Sequence, residues 1–369
     1  MWPASRIPFQ GRGGADFVEF SQVQDPSMSH KVQPLSSLDD LRAVLRALPG
    51  PDDTARAAVI AREPTLTKPP RSLGRLEDLA LWLAGWQGRH PPTMKTPRAH
   101  VFAGNHGVAL WGVSAYPPEV TVQMVKNFQN GGAAINQLCI ASGVALEVTP
   151  IELERPTRPF HQDAAMDEDE VIAAFNAGFT EPLDGVDCLC PGEMGIANTT
   201  SAAALSMALY GGPAETWTGP GTGVAGHALD TKIRVVAEGV ALHAGAATDS
   251  LDLLRRLGGR ELAAMAGSVV AARLARVPVV LDGFICCAAA ACLKAFAPDA
   301  LDHCVLGHVS REPGHQALVA KLGFEPLVRM DMALGEASGS TLAVPILRAA
   351  CQCHAGMATF AEAGVTDRV

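Results

Sequence analysis

The sequence predicts an α/β fold: a mostly parallel sheet flanked by helices, with a small helical domain built from both ends of the chain. Three observations carry this. Short apolar or β-branched runs alternate with helix-period segments through the middle of the chain, the pattern of parallel strands joined by crossover helices. Residues 1–90 hold helical patterns and no convincing strand, and 338–369 return to helix. The 369 residues are 48% hydrophobic and 18% charged, a balance that fills a core and excludes a disordered chain.

Taken in order, residues 1–35 show little periodicity and read as an N-terminal arm. Ser37-Leu38-Asp39-Asp40 opens an amphipathic helix carrying Leu41, Val44, Leu45 and Leu48, stopped by Pro49-Gly50-Pro51. A second helix covers 53–62, and a third runs from Leu73 to Trp86 with Leu76, Leu79, Leu83 and Trp86 on one face. Strands are predicted at His100–Ala103, Ala145–Pro150, Val186–Cys190, Val277–Asp282, Cys304–Gly307 and Leu327–Met330. Helical patterns fall between most of them, at Glu119–Phe128, Asp167–Phe175, Ala197–Leu209, Lys232–His243, Leu251–Leu257, Glu261–Ala275 and Pro313–Leu322. Gly339–Phe360 is helical again, with Pro345 expected to kink it or mark its first turn. The expected division is 1–95 and 338–369 as the helical parts, with 96–337 as the α/β unit.

The net charge of −9 gives no long-range attraction for nucleic acid or an anionic membrane, and 5% aromatic residues are too few for a base-stacking platform. The opening MWPASRIPFQGRGG has no apolar run of signal-peptide length, and no segment reaches the length of a spanning helix. The nine cysteines are odd in number and crowd the second half, so they read as reduced, mostly buried apolar residues of a cytoplasmic protein. Cys188 and Cys190 lie on a strand, and Cys351, Cys353 and His354 on a helix where i and i+2 diverge; neither set has metal-site spacing. Cys286-Cys287 opens a helix with no base marked nearby, and His106, His308 and His315 read as structural.

Right-handed crossovers bring the strands' C-terminal ends to one edge, where ligands of open α/β sheets bind. Five polar, glycine-rich motifs fall there: Gly104-Asn105-His106-Gly107, Gly192–Thr200, Asp282-Gly283-Phe284, Gly307–Ser310 and Gly335–Gly339. Any one of them reads equally well as a cap or tight turn; five at one edge read as a binding site. Thr218-Gly219-Pro220-Gly221-Thr222-Gly223, followed by Lys232, can present backbone N–H groups and a cation to an anion, although alone it is an ordinary loop and a surface lysine. Glu193, Asp282 and Glu336 follow strands among glycines, with no adjacent basic residue. Carboxylates so placed can take a proton from a nitrogen nucleophile or stabilise oxocarbenium-like charge. The residues by themselves stop at a small anionic ligand and carboxylate chemistry.

From about Leu66 to Val369 the chain resembles the nicotinate-nucleotide–dimethylbenzimidazole phosphoribosyltransferases. The likeness runs through Leu66–Pro70, Ser72–Glu77, Gly112–Pro117, Glu119–Thr121, Gln123–Val125, Gly131–Asn136, the Glu193 and Thr218–Gly223 loops, Val279–Phe284, Gly307-His308, Glu312–His315, the Glu336 loop and Met357–Gly364. It implies a Rossmann-like sheet with a helical domain from both termini, in a homodimer, acting on small molecules with no metal and no cofactor. It also implies a reaction, transfer of phosphoribose from nicotinate mononucleotide to 5,6-dimethylbenzimidazole with inversion to α-ribazole 5′-phosphate. Glu336 matches the general base. Glu193, Gly195, Gly221, Thr222, Lys232, Asp282 and Ser310 match the nucleotide pocket, and Ser114, Tyr116, Gln123 and Leu334 the benzimidazole pocket. Asn105 stands where relatives carry Asp, Arg71 where they carry Gly, and Cys286-Cys287 where many carry small hydroxyl residues. Two other readings are a dinucleotide-binding oxidoreductase, which lacks G-x-G-x-x-G after the first strand, and a catalytically silent relative.

Overall fold

The computed structural model describes residues 33–367. Of the expected N-terminal arm only 33–35 fall within it. Six strands form one sheet: β1 (Pro97–Ala103), β2 (Ala145–Pro150), β3 (Cys188–Met194), β4 (Val279–Leu281), β5 (Cys304–His308) and β6 (Pro326–Val328). Their order is β2-β1-β3-β4-β5-β6 and every pairing is parallel.

The helices are α1 (Leu38–Arg46), α2 (Asp53–Arg62), α3 (Arg75–Gln87), α4 (Glu119–Gln129), α5 (Ala134–Ser142), α6 (Glu168–Phe179), α7 (Asn198–Tyr210), α8 (Ala214–Trp217), α9 (His227–His243), α10 (Ser250–Leu257), α11 (Arg260–Leu274), α12 (Phe284–Phe296), α13 (Pro313–Leu322), α14 (Ser338–Gly356) and α15 (Phe360–Ala363). Some of their starts follow from capping chemistry. The Ser37 hydroxyl accepts from Asp40 N at 3.1 Å, and Asp249 accepts from Leu251 N and Asp252 N, both at 2.9 Å. Among the described residues, no helix is long and apolar enough to cross a membrane.

Alternate strand residues feed two cores, as the period of two requires. Phe102, Leu189, Val279, Leu281 and Leu306 face α6, α7, α10, α11 and α12. Ala99, Val101, Cys188, Cys190 and Val280 face α3, α5 and α14. On the first face α6 and α11 approach to backbone contact: a Cβ on Gly178 would strike Ala264 O, and one on Gly267 would strike Phe175 O. On the second, α3 packs against both α2 and α14, and Leu66 bridges Thr359.

Several boundaries differ from expectation. β3 runs on to Met194 through Pro191 and Gly192, so Glu193 lies in the strand rather than after it. Leu189 N donates to Pro278 O toward β4, and the β3–β4 ladder has the single pair Leu189↔Val279. By alternation Pro191 also turns its nitrogen toward β4, where the ladder has ended, so no hydrogen bond is forfeited. The start of α14 lies over that gap. Cβ atoms on Gly192 and Gly307 would come within 2.6 Å of Ala337 Cβ and 2.7 Å of Ser340 Cα. α9 begins five residues before Lys232, which therefore sits inside the helix, and α14 runs unbroken from Ser338 to Gly356 with Pro345 inside it. α5 and α8 were not expected. α5 follows a Gly131-Gly132 pair that reads as loop, and starts because the Asn136 side chain accepts from Ala133 N at 3.0 Å.

Candidate active site

The strand order makes the site. From β1 the chain goes out to β2 on one side and returns to β3 on the other, so the segments leaving β1 and β3 diverge and open a crevice at their C-terminal ends. Glu193 is the last residue but one of β3, Asp282 follows β4, and Ser310 lies just beyond β5. Glu336 occupies the turn between β6 and α14. The C-terminal ends of four strands thus supply the polar side chains.

One end of the crevice is acidic. Glu193, Asp282 and Glu336 are all buried. Burial, then repulsion from Asp282, raises the Glu336 pKa to about 7, opposed by a hydrogen bond from the Ile135 backbone at the start of α5. Burial, then repulsion from Glu261, Asp282 and Glu336, holds Glu193 well above the ordinary carboxylate range. Asp282 is raised by burial, although His308 and the Gly339 and Ser340 backbones favour its charge; those two N–H groups donate to Oδ1 at 2.7 and 2.9 Å. Among the described residues no Lys or Arg pairs with any of the three. The Asn198 amide donates to Glu193 Oε2, and Glu193 also touches Gly335. Glu336 and Ala337 both take positive φ, 62° and 61°, a conformation that L residues hold only under tertiary constraint.

The other end is cationic and glycine-lined. Lys232 is buried; its Nζ donates to Thr199 Oγ1 at 2.9 Å and Gly219 O at 3.0 Å. Burial lowers its pKa to about 8, with Glu312 pulling the other way. Gly221, at φ 53°, leaves no room for a side chain: a Cβ would lie 2.6 Å from Thr199 Oγ1 and 2.8 Å from Lys232 Nζ. Gly221 N donates to Glu312 Oε1 at 2.9 Å, Glu312 N to Ser310 Oγ at 3.1 Å, and Ser310 N to His315 Nδ1 at 2.9 Å. Asn198 and Thr199, adjacent in the first turn of α7, join the two ends: one holds Glu193, the other Lys232.

A family model described as phosphoribosyltransferase matches residues 48–365. A relative from Cereibacter sphaeroides, named nicotinate-nucleotide–dimethylbenzimidazole phosphoribosyltransferase, is 56% identical over 334 residues, covering 90% of this chain and 99% of its own. One of the same name from Ruegeria pomeroyi is 57% identical over 333 residues, covering 90% and 98%. The crystal structure of CobT from Thermus thermophilus superposes with a TM-score of 0.79 at 41% identity, over 85% of this chain and all of that one. This chain belongs to the nicotinate-nucleotide–dimethylbenzimidazole phosphoribosyltransferase family.

Within that family's expected site, the structure joins some residues and leaves others apart. Ser114 Oγ lies 3.1 Å from Thr222 Oγ1, which also accepts from Ala115 N at 3.2 Å, so the expected base loop and the glycine loop touch. Tyr116, Gln123 and Leu334 are exposed, and among the described residues their side chains bond to no other expected site residue. Asn198, Thr199, Glu261 and Glu312 were not singled out as site residues. Asn198 and Thr199 stood inside the quoted Gly192–Thr200 motif, but only the fold shows which side chains they meet.

The positions expected to depart from the family are placed as follows. The buried Asn105 amide donates to Leu153 O at 2.8 Å, a carbonyl that an ionised Asp could not serve. Arg71 keeps the positive φ (62°) that suits Gly and pairs with Asp78 at 2.6 Å. Burial raises the Cys286 and Cys287 thiols, so neither is a ready thiolate. The nine cysteines are all unpaired. His106 and His315 are buried and bonded within the protein, whereas the ring nitrogens of buried His308 have no hydrogen-bond partner among the described residues; its ring stands edge-on to His315 and its Nε2 lies 3.8 Å from Asp282 Oδ1. Among the described residues one group could offer three metal-ligand atoms, His100, Glu147 and Glu181 on the β1–β2 side. There His100 already bonds Glu181 and Thr149, and Arg98 pairs with Glu147 at 3.2 Å.

Proposed function

We infer that this protein transfers phosphoribose from nicotinate mononucleotide to 5,6-dimethylbenzimidazole, with Glu336 as general base. The observation that carries the role is Glu336 itself, buried beside two further acids with its pKa near 7, where a base is half ionised at neutral pH and strong enough to accept a proton. One nitrogen of the base attacks C1′ with its lone pair, while the C1′–N bond to nicotinate breaks and its electrons pass to the pyridine nitrogen. The N–H proton of the attacking heterocycle goes to Glu336. Attack opposite the leaving group inverts β to α and gives α-ribazole 5′-phosphate.

Lys232 and the Gly219–Gly223 loop suit the 5′-phosphate: a buried cation is already held in place beside a glycine whose positive φ brings the loop backbone against it. Glu193, Gly195, Thr222, Asp282 and Ser310 complete the nucleotide side of the reading, and Ser114, Tyr116, Gln123 and Leu334 the benzimidazole side. Exposed Tyr116 and Leu334 supply apolar surface for a flat heterocycle. Against the oxidoreductase reading, the Gly104–Gly107 turn leads into a short 3₁₀ turn, Gly107–Trp111, rather than a helix N-terminus. Glu261 Oε2 also lies 2.5 Å from where a Cβ on Gly104 would stand, which leaves no space for a pyrophosphate.

The reading extends to a helical domain shared by both chain ends, supported by the α3–α14 packing and the Leu66–Thr359 bridge. It further includes a cytoplasmic homodimer, supported by the unpaired cysteines and the family resemblance; light scattering tests the dimer. The decisive experiment incubates the protein with nicotinate mononucleotide and dimethylbenzimidazole and follows α-ribazole phosphate by mass spectrometry. Product is expected with wild type and almost none with Glu336→Gln. Equal turnover by the two removes Glu336 from its role.

A further inference from the structure

Behind the acidic end of the crevice stands a polar chain that the reaction as drawn does not use. Glu261, in the first turn of α11, is fully buried and places Oε1 2.5 Å from His106 Nε2; the other ring nitrogen of His106 lies 3.1 Å from Ser201 Oγ on α7. All three side chains are buried. Three glycines admit the Glu261 carboxylate. A Cβ on Gly104 would lie 2.5 Å from Oε2, one on Gly259 2.8 Å from Oε2, and one on Gly195 2.9 Å from Oε1. Gly104 follows β1 and Gly195 follows β3, so one carboxylate is wedged between the two turns that bound the crevice. Neighbouring Arg260 points elsewhere, to Glu152, Glu170 and the Arg155 carbonyl. Oε2 of Glu261 has no hydrogen-bond partner among the described residues.

We propose that Glu261, anchored through His106 to Ser201, is a positioning residue for phosphoribosyl transfer, fixing the Gly104 and Gly195 turns and setting a negative charge behind Glu193. The proposal rests on the transferase reading. The charged and titratable groups facing Glu193 are Glu261 from α11, Asp282 from the β4 end and Glu336 from the turn before α14, with the Asn198 amide from α7. After burial, Glu261 is the first of these in raising Glu193. It is not among the groups that shift Glu336, so the two acids respond differently to its removal.

The test uses the whole chain. Nicotinate mononucleotide affinity is measured by calorimetry from about pH 5 to about pH 9, and kcat is measured over the same range with dimethylbenzimidazole. Removing a like charge favours the ionised form of its neighbour, so Glu261→Gln is expected to move the inflection in affinity to lower pH by about one unit. The kcat inflection near pH 7 stays in place, and Glu261→Asp, which keeps the charge, leaves both inflections at their wild-type positions. A merely structural role lowers activity without moving an inflection, and that result overturns the proposal. If Glu261→Gln does not fold, His106→Asn decides: with the thermal transition retained, mononucleotide Kd is expected to rise about fivefold, and an unchanged Kd overturns the positioning role. Absence of product from wild type overturns the reaction and this role together, whereas product with unmoved inflections overturns the role alone.

Discussion

Two clusters of carboxylates, one half-buried where the chain ends meet and one buried in the crevice, are treated in opposite ways. Where the terminal helices meet, Glu63 and Glu77 share the Lys68 ammonium at 2.8 and 2.9 Å, and His354 Nδ1 bonds Glu63 at 2.8 Å while its Nε2 lies 3.0 Å from His90 Nε2. Burial pushes Glu63 up, but the hydrogen bonds from Lys68 and His354 outweigh it, and Glu63 stays below the ordinary carboxylate value. In the crevice Glu193, Asp282 and Glu336 have no such cation, and all three are raised. Both settings desolvate carboxylates; only one compensates. Matched acids tie chain ends together, whereas the unmatched ones, held by backbone N–H groups and an amide, are all raised, Glu336 to about 7.

The contrast can be broken from either side. The largest expected effect is on turnover. Glu336→Gln removes the proton acceptor and should lower kcat about 10²- to 10⁴-fold while nicotinate mononucleotide still binds, as single-turnover and binding measurements on one preparation will show. Next comes the matched cluster: Lys68→Met strands buried Glu77 and half-buried Glu63 and should cost about 3 kcal/mol in urea unfolding, with little change in mononucleotide affinity.

The third effect is a pH dependence of opposite sign in the two groups. Glu336 has a folded pKa (about 7) above its unfolded value, so the stability linked to it is full below the unfolded pKa and is lost as pH rises through 7. Glu336→Gln should therefore become more stable than wild type above pH 7, by up to about 3 kcal/mol, in melts taken across pH. Glu63 is lowered, so its contribution is present above its unfolded pKa and lost as the pH falls through the folded value. Lys68→Met should flatten that acid limb. The smallest effect is on binding: Lys232→Ala should raise the mononucleotide KM about 10- to 100-fold with a minor change in kcat, and unchanged saturation kinetics would remove its phosphate role.

The sheet was readable from sequence because its signals are local. Apolar runs such as Val277–Leu281 and Cys304–Leu306 need no partner to be recognised. The limits of β3 were not readable, since Pro191 and Gly192 are breakers in isolation and become strand only where β4 has already fallen away. α5 was missed for a similar reason: its cap is an Asn136 side chain reaching back behind two glycines. In the site, Glu193, Asp282 and Glu336 stood out as acids among glycines at strand ends. Glu261 did not, because it looks like any acid opening a helix until His106, 155 positions earlier, is brought against it. Lys232 carried a weak motif, and only its burial against Thr199 and Gly219 distinguishes it from a surface lysine.

The bridge between Leu66 and Thr359, with Thr67 N bonded to Ala358 O at 3.1 Å, bears on how the molecule is made. During synthesis α2 and α3 leave the ribosome before any strand does, yet the surface of α3 that packs on α14 waits until all six strands have been made. α14 is also the helix whose first N–H groups hold Asp282 and whose preceding turn carries Glu336. Translation that stops short of α14 therefore yields a chain with its strands and glycine loop but without its acid turn or the partner of its first helices. Closure of the fold and completion of the crevice are the same late event.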